Sequence, residues 1–306
     1  MEPQKENKKI KLALIGCGAW GRNYVKTLNN IQEAELKYIV DIKKPDIEIG
    51  NTIFTENLDK VLNNKEIKAV IVAVPTENIF ELTKKCLEAG KNVLMEKPMT
   101  NSSEKALKLV KLAENKALIL MVGHLYCYNP AIIKLKGLIE SGELGKILYC
   151  FSLKTSFQIR KNINVLWDMG CHDISVFLYL FNKKPEEISG FSSQNEIDAV
   201  SFCMKFNDIF VESHIRGIDI ERNRKLIVIG EKKIAMFDDD VLTIYNKNKE
   251  IITESFIVET EQTSSLEKQC RHFLDCLKQN KKPLTDGKNG YEVVKIIEEI
   301  ERKNKK

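Results

Sequence analysis

The sequence predicts an α/β protein of two domains, a parallel sheet with crossover helices and then an α/β domain with a large, open, mainly antiparallel sheet. From residue 10 to about 123, short apolar runs alternate with amphipathic segments, the pattern of strands joined by crossover helices. Beyond residue 123 the segments lengthen and alternate apolar with polar residues, as strands do when one sheet face is covered. We therefore expect domains at 1–123 and 124–306.

The elements of the first half follow from these apolar runs. Expected strands are at 10–15, 36–40, 69–74, 92–95 and 118–122, and expected helices at about 22–30, 78–89 and 102–115. The run at 69–74 is almost continuously apolar, which indicates a strand covered by helices on both faces. Pro75 ends that strand because proline cannot donate to the ladder.

The second half begins with an expected helix at about 130–141. Expected strands follow at 147–157, 187–192, 197–206, 209–216, 224–230 and 233–237. An apolar helix at about 168–181 interrupts them, and helices at about 264–279 and 290–303 close the chain. The last helix follows a turn-rich segment at 283–287, and the sequence contains no internal repeat.

A glycine-rich turn lies between the first strand and the first helix. Gly16 allows the tight turn, Gly18 lets the backbone approach a pyrophosphate, and Gly21 lets helix and strand pack closely. Asp41 ends the next strand about twenty residues later, where a carboxylate accepts hydrogen bonds from ribose hydroxyls. This combination predicts a Rossmann domain that binds a nicotinamide dinucleotide.

The carboxylate of Asp41 favours NAD over NADP because it repels a ribose 2′-phosphate, although Lys43 and Lys44 just beyond it would soften that repulsion. The expected cofactor contacts are in the glycine turn and in the loops that follow the strands. They are Gly16, Gly18, Ala19, Trp20, Gly21, Asp41, Val74, Pro75, Asn78, Glu96 and Lys97.

The tripeptide Glu96-Lys97-Pro98 directly follows the expected strand at 92–95. Open parallel sheets bind their ligands at this carboxyl edge. From the tripeptide alone, Lys97 is equally well one of many surface lysines, but its position favours a catalytic lysine. Pro98 fixes the backbone after Lys97 and makes this bond a candidate for the cis form.

A second group of polar residues lies at the start of the apolar helix. Asp168 and His172 are four residues apart, so on a helix they share one face and address one small ligand. Asp173 points elsewhere and suits a helix-start charge. A capping aspartate beside a packed histidine is the alternative, and a metal site lacks an obvious third ligand.

Two further segments are candidates for substrate binding. His124 and Tyr126 join the two halves, where they either reach a sugar or pack the domain seam. Arg160 and Asn164 precede the apolar helix, and a guanidinium there would bind a diphosphate in a bidentate fork, unless this is simply a solvated loop. The expected substrate contacts are His124, Tyr126, Arg160, Asn164, Trp167, Asp168 and His172.

The composition narrows the class of protein. The chain has 306 residues, 43% of them hydrophobic and 30% charged, with no apolar stretch that could span a bilayer and no signal-peptide pattern. The net charge of +5 is spread along the chain, which argues against a nucleic-acid surface. Its eight cysteines show no Cys-x-x-Cys spacing, so we expect reduced, structural thiols in a cytoplasmic enzyme.

The order of these motifs resembles the Gfo/Idh/MocA oxidoreductases over essentially the whole chain, from Gly16 to the turn at 283–287. The resemblance implies a Rossmann domain followed by an α/β domain whose open sheet often forms a dimer interface, and hence a homodimer or homotetramer. It also implies that Lys97, Asp168 and His172 form the catalytic set.

Within the family, the segments at 122–131 and 164–175, together with Arg160, resemble the branch of UDP-N-acetylglucosamine 3-dehydrogenases. That branch implies NAD-dependent oxidation of the sugar 3-hydroxyl. The chain departs from the family at Asn78 and Ser175, where histidine and an acidic residue are common, and at 170–171, where relatives often have Ala-Pro. The alternatives are another sugar or polyol dehydrogenase, of inositol or UDP-GlcNAc-uronate type, and a non-catalytic NAD-sensing regulator.

Overall fold

The computed structural model describes residues 9–157, 164–193, 198–239, 241–248, 250–257 and 264–304. The chain divides into two compact units, the first containing residues 1–123 and 266–291 and the second residues 124–265 and 292–306. The return of residues 266–291 to the first unit differs from the sequence-based division, in which everything after residue 123 belonged to the second domain.

The first unit alternates strands and helices as far as residue 122. Its elements are β1 (Ile10–Ile15), α1 (Gly21–Asn29), β2 (Ala34–Val40), β3 (Ile53–Thr55), α2 (Asp59–Leu62), β4 (Ala69–Val72), α3 (Thr76–Glu88), β5 (Asn92–Met95), α4 (Ser103–Asn115) and β6 (Leu120–Val122).

These strands form a six-stranded sheet in the order β3-β2-β1-β4-β5-β6, with every pairing parallel. This is the doubly wound order in which β1 and β4 flank the point where the chain reverses direction across the sheet. The β4 strand is buried along its whole length, as its continuous apolar run predicts. All the loops that follow these parallel strands therefore emerge at one carboxyl edge.

The second unit begins with a 3-10 turn (Leu125–Tyr128) and contains the antiparallel sheet. Its elements are α5 (Pro130–Glu140), β7 (Ile147–Thr155), a π-helical turn (Leu166–Gly170), α6 (Cys171–Phe181), β8 (Glu187–Ser192), β9 (Ala199–Phe206), β10 (Ile209–Arg216), β11 (Arg224–Gly230), β12 (Ile234–Asp238), β13 (Val241–Tyr245) and β14 (Ile251–Ile257).

The strands of the second unit form an eight-stranded sheet in the order β14-β13-β12-β11-β7-β10-β9-β8. Only the β7–β10 pair is parallel among the pairings described, and the others are antiparallel. Buried and less buried residues alternate along β9 and β10, and the buried face joins α5 and α6 in one apolar core. The predicted fold class, a Rossmann domain followed by an α/β domain with a mainly antiparallel sheet, is confirmed.

Two helices close the chain, α7 (Ser265–Gln279) and α8 (Gly287–Asn304). The segment between them runs along β6, where the Val122 amide donates to the Thr285 carbonyl at 2.8 Å. The buried Thr285 hydroxyl donates back to the Val122 carbonyl at 2.7 Å. Among the described residues, no helix is both long enough and apolar enough to cross a membrane.

Some elements differ from the sequence-based prediction. The short β3 and α2 were not predicted, because three or four residues carry too little periodicity to be read. The hairpin of β13 and β14 was also missed, and the strand predicted to reach residue 74 ends at Val72. The helix predicted from residue 168 begins with the π-helical turn, two residues earlier, and the last helix begins at Gly287 rather than 290.

Candidate active site

The glycine turn of the first unit has the geometry that its three glycines require. Gly16 has φ +89°, and a Cβ on it would lie 2.4 Å from the Ala73 carbonyl oxygen. A Cβ on Gly21 would lie 2.3 Å from the Gly16 carbonyl oxygen. Gly18 is exposed, and a Cβ on it would meet no atom within 4 Å, so its backbone is open to a ligand.

The Asp41 carboxylate lies beside this turn at the end of β2. Its Oδ2 accepts a hydrogen bond from the Cys17 amide at 2.5 Å, and its Oδ1 accepts one from the Ile42 amide at 2.7 Å. The side chain is half-buried. Sequence separation alone predicted this placement, and the structure adds the bond that fixes the carboxylate against the glycine turn.

The remaining expected cofactor contacts of the first unit also lie at the carboxyl edge of the sheet. Ala19 is exposed in the glycine turn, and Val74 lies beside Gly16, with its Cγ1 2.7 Å from where a glycine Cβ would be. Pro75 precedes α3 and Asn78 lies in the first turn of that helix, both exposed.

The Glu96-Lys97-Pro98 segment follows β5 at the same edge. The Trp20 indole nitrogen donates to Glu96 Oε1 at 2.5 Å, so two residues predicted as separate cofactor contacts bind each other. Lys97 is half-buried, and its amide donates to Glu96 Oε2 at 3.1 Å. The Lys97–Pro98 bond is cis, which confirms the sequence-based expectation.

These features fit a dinucleotide. An exposed glycine backbone precedes the N-terminus of α1, where phosphate charge is stabilised by unpaired amides and by the helix dipole. An acidic side chain lies on the neighbouring strand end, where ribose hydroxyls bind in this fold. The residues present therefore suit NAD(P).

In the second unit, Asp168 and His172 lie on consecutive helical segments. Asp168 belongs to the π-helical turn, and His172 is in the first turn of α6. Both are half-buried. Single π-helical turns inside helices are frequent at functional sites. The sequence predicted the shared helix but not its π-helical start, because apolar periodicity does not distinguish the two helix types at this length.

The imidazole of His172 contacts the ring of Tyr126. The ring centroids are 5.0 Å apart and the planes meet at 66°, an edge-to-face arrangement that aromatic rings prefer. The Lys154 ammonium lies 4.4 Å from the centroid of the same tyrosine ring, within cation–π range. Tyr126 thus lies in contact with both a predicted catalytic residue and a buried cation.

Sequence reasoning missed Lys154. Its Nζ lies 2.7 Å from Asp173 Oδ1, and both side chains are almost fully buried. Asp173 Oδ2 accepts hydrogen bonds from Ser152 at 3.0 Å and Ser213 at 2.7 Å, so the carboxylate is well satisfied. The helix-start role expected of Asp173 is thus accompanied by a buried ion pair. The sequence did contain a sign of this lysine. Lys154 follows Cys150 and Ser152 at intervals of two residues, so all three lie on the same, buried face of β7.

The polar atoms of Asn164 and Trp167 are engaged within the second unit. The Asn164 amide nitrogen and the Trp167 indole nitrogen both donate to Glu301 Oε1 of α8, at 3.1 Å and 2.8 Å. The Asn164 side-chain oxygen also accepts from the Trp167 amide at 3.1 Å. These bonds give both residues a structural role. Arg160, also expected to bind substrate, lies outside the described residues.

The segment that joins the two halves has a local structural function too. His124 is 1% exposed and precedes the 3-10 turn, while Asn129 caps α5 by accepting from the Ala131 amide at 2.8 Å. Pro130 occupies the first helical position, where its missing amide costs nothing. Asn129 and Pro130, in the second half of this segment, therefore form the start of α5. This indicates a role in packing rather than in substrate recognition for these two residues.

Two family models match the chain over most of its length. One describes the oxidoreductase family with an NAD-binding Rossmann fold and covers residues 10–124. The other describes the Gfo/Idh/MocA C-terminal domain and covers residues 132–235. The chain belongs to the Gfo/Idh/MocA family. Its first unit is accordingly an NAD(P)-binding Rossmann domain, as the glycine turn predicted.

The curated relatives that this chain matches are distant. A 4-carboxy-2-hydroxymuconate-6-semialdehyde dehydrogenase from Sphingobium is 28% identical over 57% of this chain and 60% of its own length. A scyllo-inositol 2-dehydrogenase (NAD(+)) from Bacillus subtilis is 26% identical over 90% of this chain and 88% of its own. The chain spans 55–60% of the length of the curated relatives that it matches first.

Solved structures of similar fold include a UDP-N-acetylglucosamine 3-dehydrogenase, GnnA, from Acidithiobacillus ferrooxidans. It superposes with a TM-score of 0.84 at 22% identity and covers 96% of this chain and 97% of its own. At that identity the similarity shows the Gfo/Idh/MocA fold alone.

Proposed function

We propose that the protein is an NAD-dependent dehydrogenase that oxidises a secondary hydroxyl of a sugar or nucleotide sugar, with the 3-hydroxyl of UDP-N-acetylglucosamine as the first candidate. The observation that carries the proposal is His172, a half-buried imidazole on α6 held edge-to-face by Tyr126. In a chain with an NAD(P)-binding domain, a positioned histidine is the group that alcohol oxidation needs as base.

His172 would remove the hydroxyl proton as the carbon–hydrogen bond breaks and the carbonyl forms. A neutral imidazole suits this task because its ordinary pKa, about 6.5, lies near the operating pH. The carboxylate of Asp168 would orient the imidazole or share the proton. When bound, oxidised NAD supplies the hydride acceptor.

The ammonium of Lys97 would stabilise the negative charge that develops on the substrate oxygen. Lys97 directly follows β5 at the carboxyl edge of the parallel sheet, where ligands bind in this fold. Its assignment to the same reaction as His172 rests on the family resemblance.

The substrate class rests on two similarities. The UDP-N-acetylglucosamine 3-dehydrogenase shares the fold over 96% of this chain, and the motifs at 122–131 and 164–175 resemble that branch. The inositol dehydrogenase, matched over 90% of this chain, makes a cyclic polyol the second candidate substrate. Both classes present a ring hydroxyl on a secondary carbon, so one set of catalytic residues serves either.

The open sheet of the second unit supports a homodimer or homotetramer. Tyr149 and Phe210 stack on the outward face of β7 and β10 with centroids 5.7 Å apart, and Phe210 is 45% exposed. Exposed aromatic residues on a sheet face favour self-association. Light scattering after size exclusion would give the mass, and Phe210→Ser should favour the monomer.

The test follows reduced-cofactor absorbance with NAD and a panel of UDP-sugars and inositols, for the native chain and the Lys97→Ala and His172→Asn variants. We expect turnover of UDP-N-acetylglucosamine and a product two hydrogens lighter, with NMR locating the ketone. Loss of a general base should lower kcat by about 10²- to 10⁴-fold while NADH affinity is kept.

Each other outcome has a definite meaning. Turnover of an inositol but not of any UDP-sugar would change the proposed substrate to a cyclic polyol and leave the proposed mechanism unchanged. Binding of NADH without turnover of any panel member would favour a regulator. A His172→Asn variant as active as the native chain would remove His172 as the base.

A further inference from the structure

A chain of hydrogen bonds in the first unit, buried at Gln269 and Tyr24, links α7 to the glycine turn. The Gln269 side-chain nitrogen donates to the Tyr24 hydroxyl oxygen at 3.0 Å, and that hydroxyl donates to Glu96 Oε1 at 2.7 Å. The same Oε1 accepts from the Trp20 indole at 2.5 Å. Gln269 and Tyr24 are 1% and 0% exposed. We call these four residues the α7 relay.

The relay ends on both segments that are expected to meet the cofactor. Trp20 is the last residue before α1 and is 39% exposed, while Glu96 directly precedes Lys97. Tyr24 lies on the buried side of α1, one turn after Trp20. The Glu96 carboxylate therefore holds the start of α1 and the end of β5 to each other.

The protonation states of Glu96 and Tyr24 determine which group donates and which accepts at each step of the α7 relay. Burial raises the pKa of Glu96, and the bonds from Tyr24, Trp20 and the Lys97 amide counter this by stabilising the carboxylate. Burial and the Glu96 charge hold the pKa of Tyr24 well above its ordinary value, so its hydroxyl stays a donor to Glu96. The Tyr24 oxygen is then left to accept, and Gln269 supplies the donor.

The Glu96 carboxylate is also packed closely against the backbone at Gly123. A Cβ on Gly123 would lie 3.2 Å from Glu96 Oε1, so the backbone confines the carboxylate on that side. A carboxylate with several donors and a close wall has little freedom, and each donor lost would let it and the turn move. Hydrogen bonds in such a network polarise one another, so a remote member affects the whole.

We propose that Gln269 is a positioning residue of the NAD(P) site, acting through Tyr24 and Glu96 on Trp20 and the glycine turn. An ordered turn binds its ligand more tightly because less conformational freedom is lost on binding. The proposal concerns cofactor binding, goes beyond the proposed reaction and is independent of the sugar.

Docking of α7 does not depend on the Gln269 amide. Its neighbours Leu266, Cys270, Phe273 and Leu274 are all buried and fix the helix by apolar packing. Gln269→Leu has similar volume and removes the donor to Tyr24, together with a buried side-chain oxygen that accepts no hydrogen bond within the described part of the chain. Loss of one neutral hydrogen bond of the relay should raise the NADH dissociation constant about 2- to 12-fold.

The experiment titrates NADH and NADPH into the full-length protein by calorimetry, for the native chain, Gln269→Leu, Tyr24→Phe and the double variant. Because the relay runs through Tyr24, Gln269→Leu should add little to Tyr24→Phe, a non-additivity that a double-mutant cycle measures.

The chain has two tryptophans, so in a Trp167→Phe background the emission of Trp20 reports on the turn directly. Gln269→Leu should shift that emission without cofactor.

Cys276→Ala is the matched control, since Cys276 is a buried residue of the same helix outside the relay. It should lower the melting temperature at least as much as Gln269→Leu but leave NADH affinity and Trp20 emission unchanged. Native affinity in Gln269→Leu, or additive losses in the double variant, would overturn the proposal. Equal loss of affinity in Cys276→Ala would assign the effect to general loosening of α7 and also overturn it.

Discussion

The ring of Tyr126 contacts both the proposed base, His172, and a buried cation, Lys154. It contacts the imidazole of His172 edge-to-face at 5.0 Å and has the Lys154 ammonium 4.4 Å from its centroid. Asp173, the residue after His172, neutralises that ammonium at 2.7 Å. The proposed base is therefore oriented by an aromatic ring that rests on an electrically balanced, buried pair.

This arrangement predicts that the Tyr126 ring matters more than its hydroxyl. Tyr126→Phe keeps the ring contacts and should have nearly native kcat, whereas Tyr126→Leu should lower kcat about 10-fold with little change in KM. The reason is that an aromatic pair contributes about 0.5–1.5 kcal/mol to holding a ring in place. Steady-state kinetics with the substrate that the panel identifies measures both. A raised KM in Tyr126→Phe would instead support the sequence-based role in substrate binding.

The buried pair of Lys154 and Asp173 makes a prediction about stability. Lys154→Met leaves an uncompensated buried carboxylate and should lower the free energy of unfolding by about 3–5 kcal/mol. Lys154→Met with Asp173→Asn removes both charges and should recover most of that loss. Urea unfolding followed by circular dichroism measures the difference. Equal destabilisation by the single and double variants would show that packing, not charge, dominates.

Substitutions of Gly18 and Gly21 in the turn should fail in different ways. Gly21→Ala places a Cβ 2.3 Å from the Gly16 carbonyl oxygen, so it should destabilise the fold and lower the melting temperature. Gly18→Ala meets no atom within 4 Å and should melt like the native chain but bind NADH more weakly, because the added methyl occupies the side open to the pyrophosphate. Thermal unfolding and NADH titration separate the two, and a native NADH affinity in Gly18→Ala would refute the expected cofactor placement.

The predicted preference for NAD over NADP should depend on the charge of Asp41. Asp41→Asn keeps an oxygen that accepts from the Cys17 amide but removes the repulsion of a 2′-phosphate. We expect the ratio of NADPH to NADH dissociation constants to fall about 10-fold. Titration of both cofactors at low ionic strength gives the ratio. Lys43→Gln is the control and should move the ratio the other way.

Stability should fall on the acid side of neutrality through His272. Burial lowers the pKa of this histidine from its ordinary value of 6.5, and its Nε2 accepts from the Leu284 amide at 2.9 Å, which requires the neutral ring. Its contribution is therefore present above the ordinary value and is lost as the pH falls through the lowered, folded value. His272→Gln keeps an acceptor without titrating, so its melting temperature should decline less between pH 7 and about pH 5. Parallel melting curves against pH for the two proteins would contradict this.

Much of the first unit was predictable because its signals are local. The apolar run before Gly16, the turn chemistry of the glycines and the position of Asp41 each depend on neighbours along the chain. The same holds for Lys97, placed by the strand that ends just before it. In the second unit, the alternation of apolar and polar residues predicted most strands, but the short hairpin of β13 and β14 was not predicted.

Which polar side chains bind each other was not predictable, because partners far apart in sequence are brought together only by packing. Asn164 and Trp167 looked like substrate contacts, yet both donate to Glu301 near the end of the chain. Trp20 and Glu96 looked like two cofactor contacts, yet they bind each other. A sequence pattern indicates that a residue is polar and well placed, and does not indicate what satisfies it.

The sequence by itself determined the fold class and the cofactor class, since periodicity, turn chemistry and motif spacing act over a few residues, and its resemblance to the Gfo/Idh/MocA oxidoreductases implies the candidate catalytic set. Only the tertiary structure decided that Lys154 pairs with Asp173 and that Gln269 reaches Tyr24 across 245 residues. It also returned residues 266–291 to the first unit. The physical reason is that a buried polar group must find a partner, and which partner it finds depends on how the whole core packs.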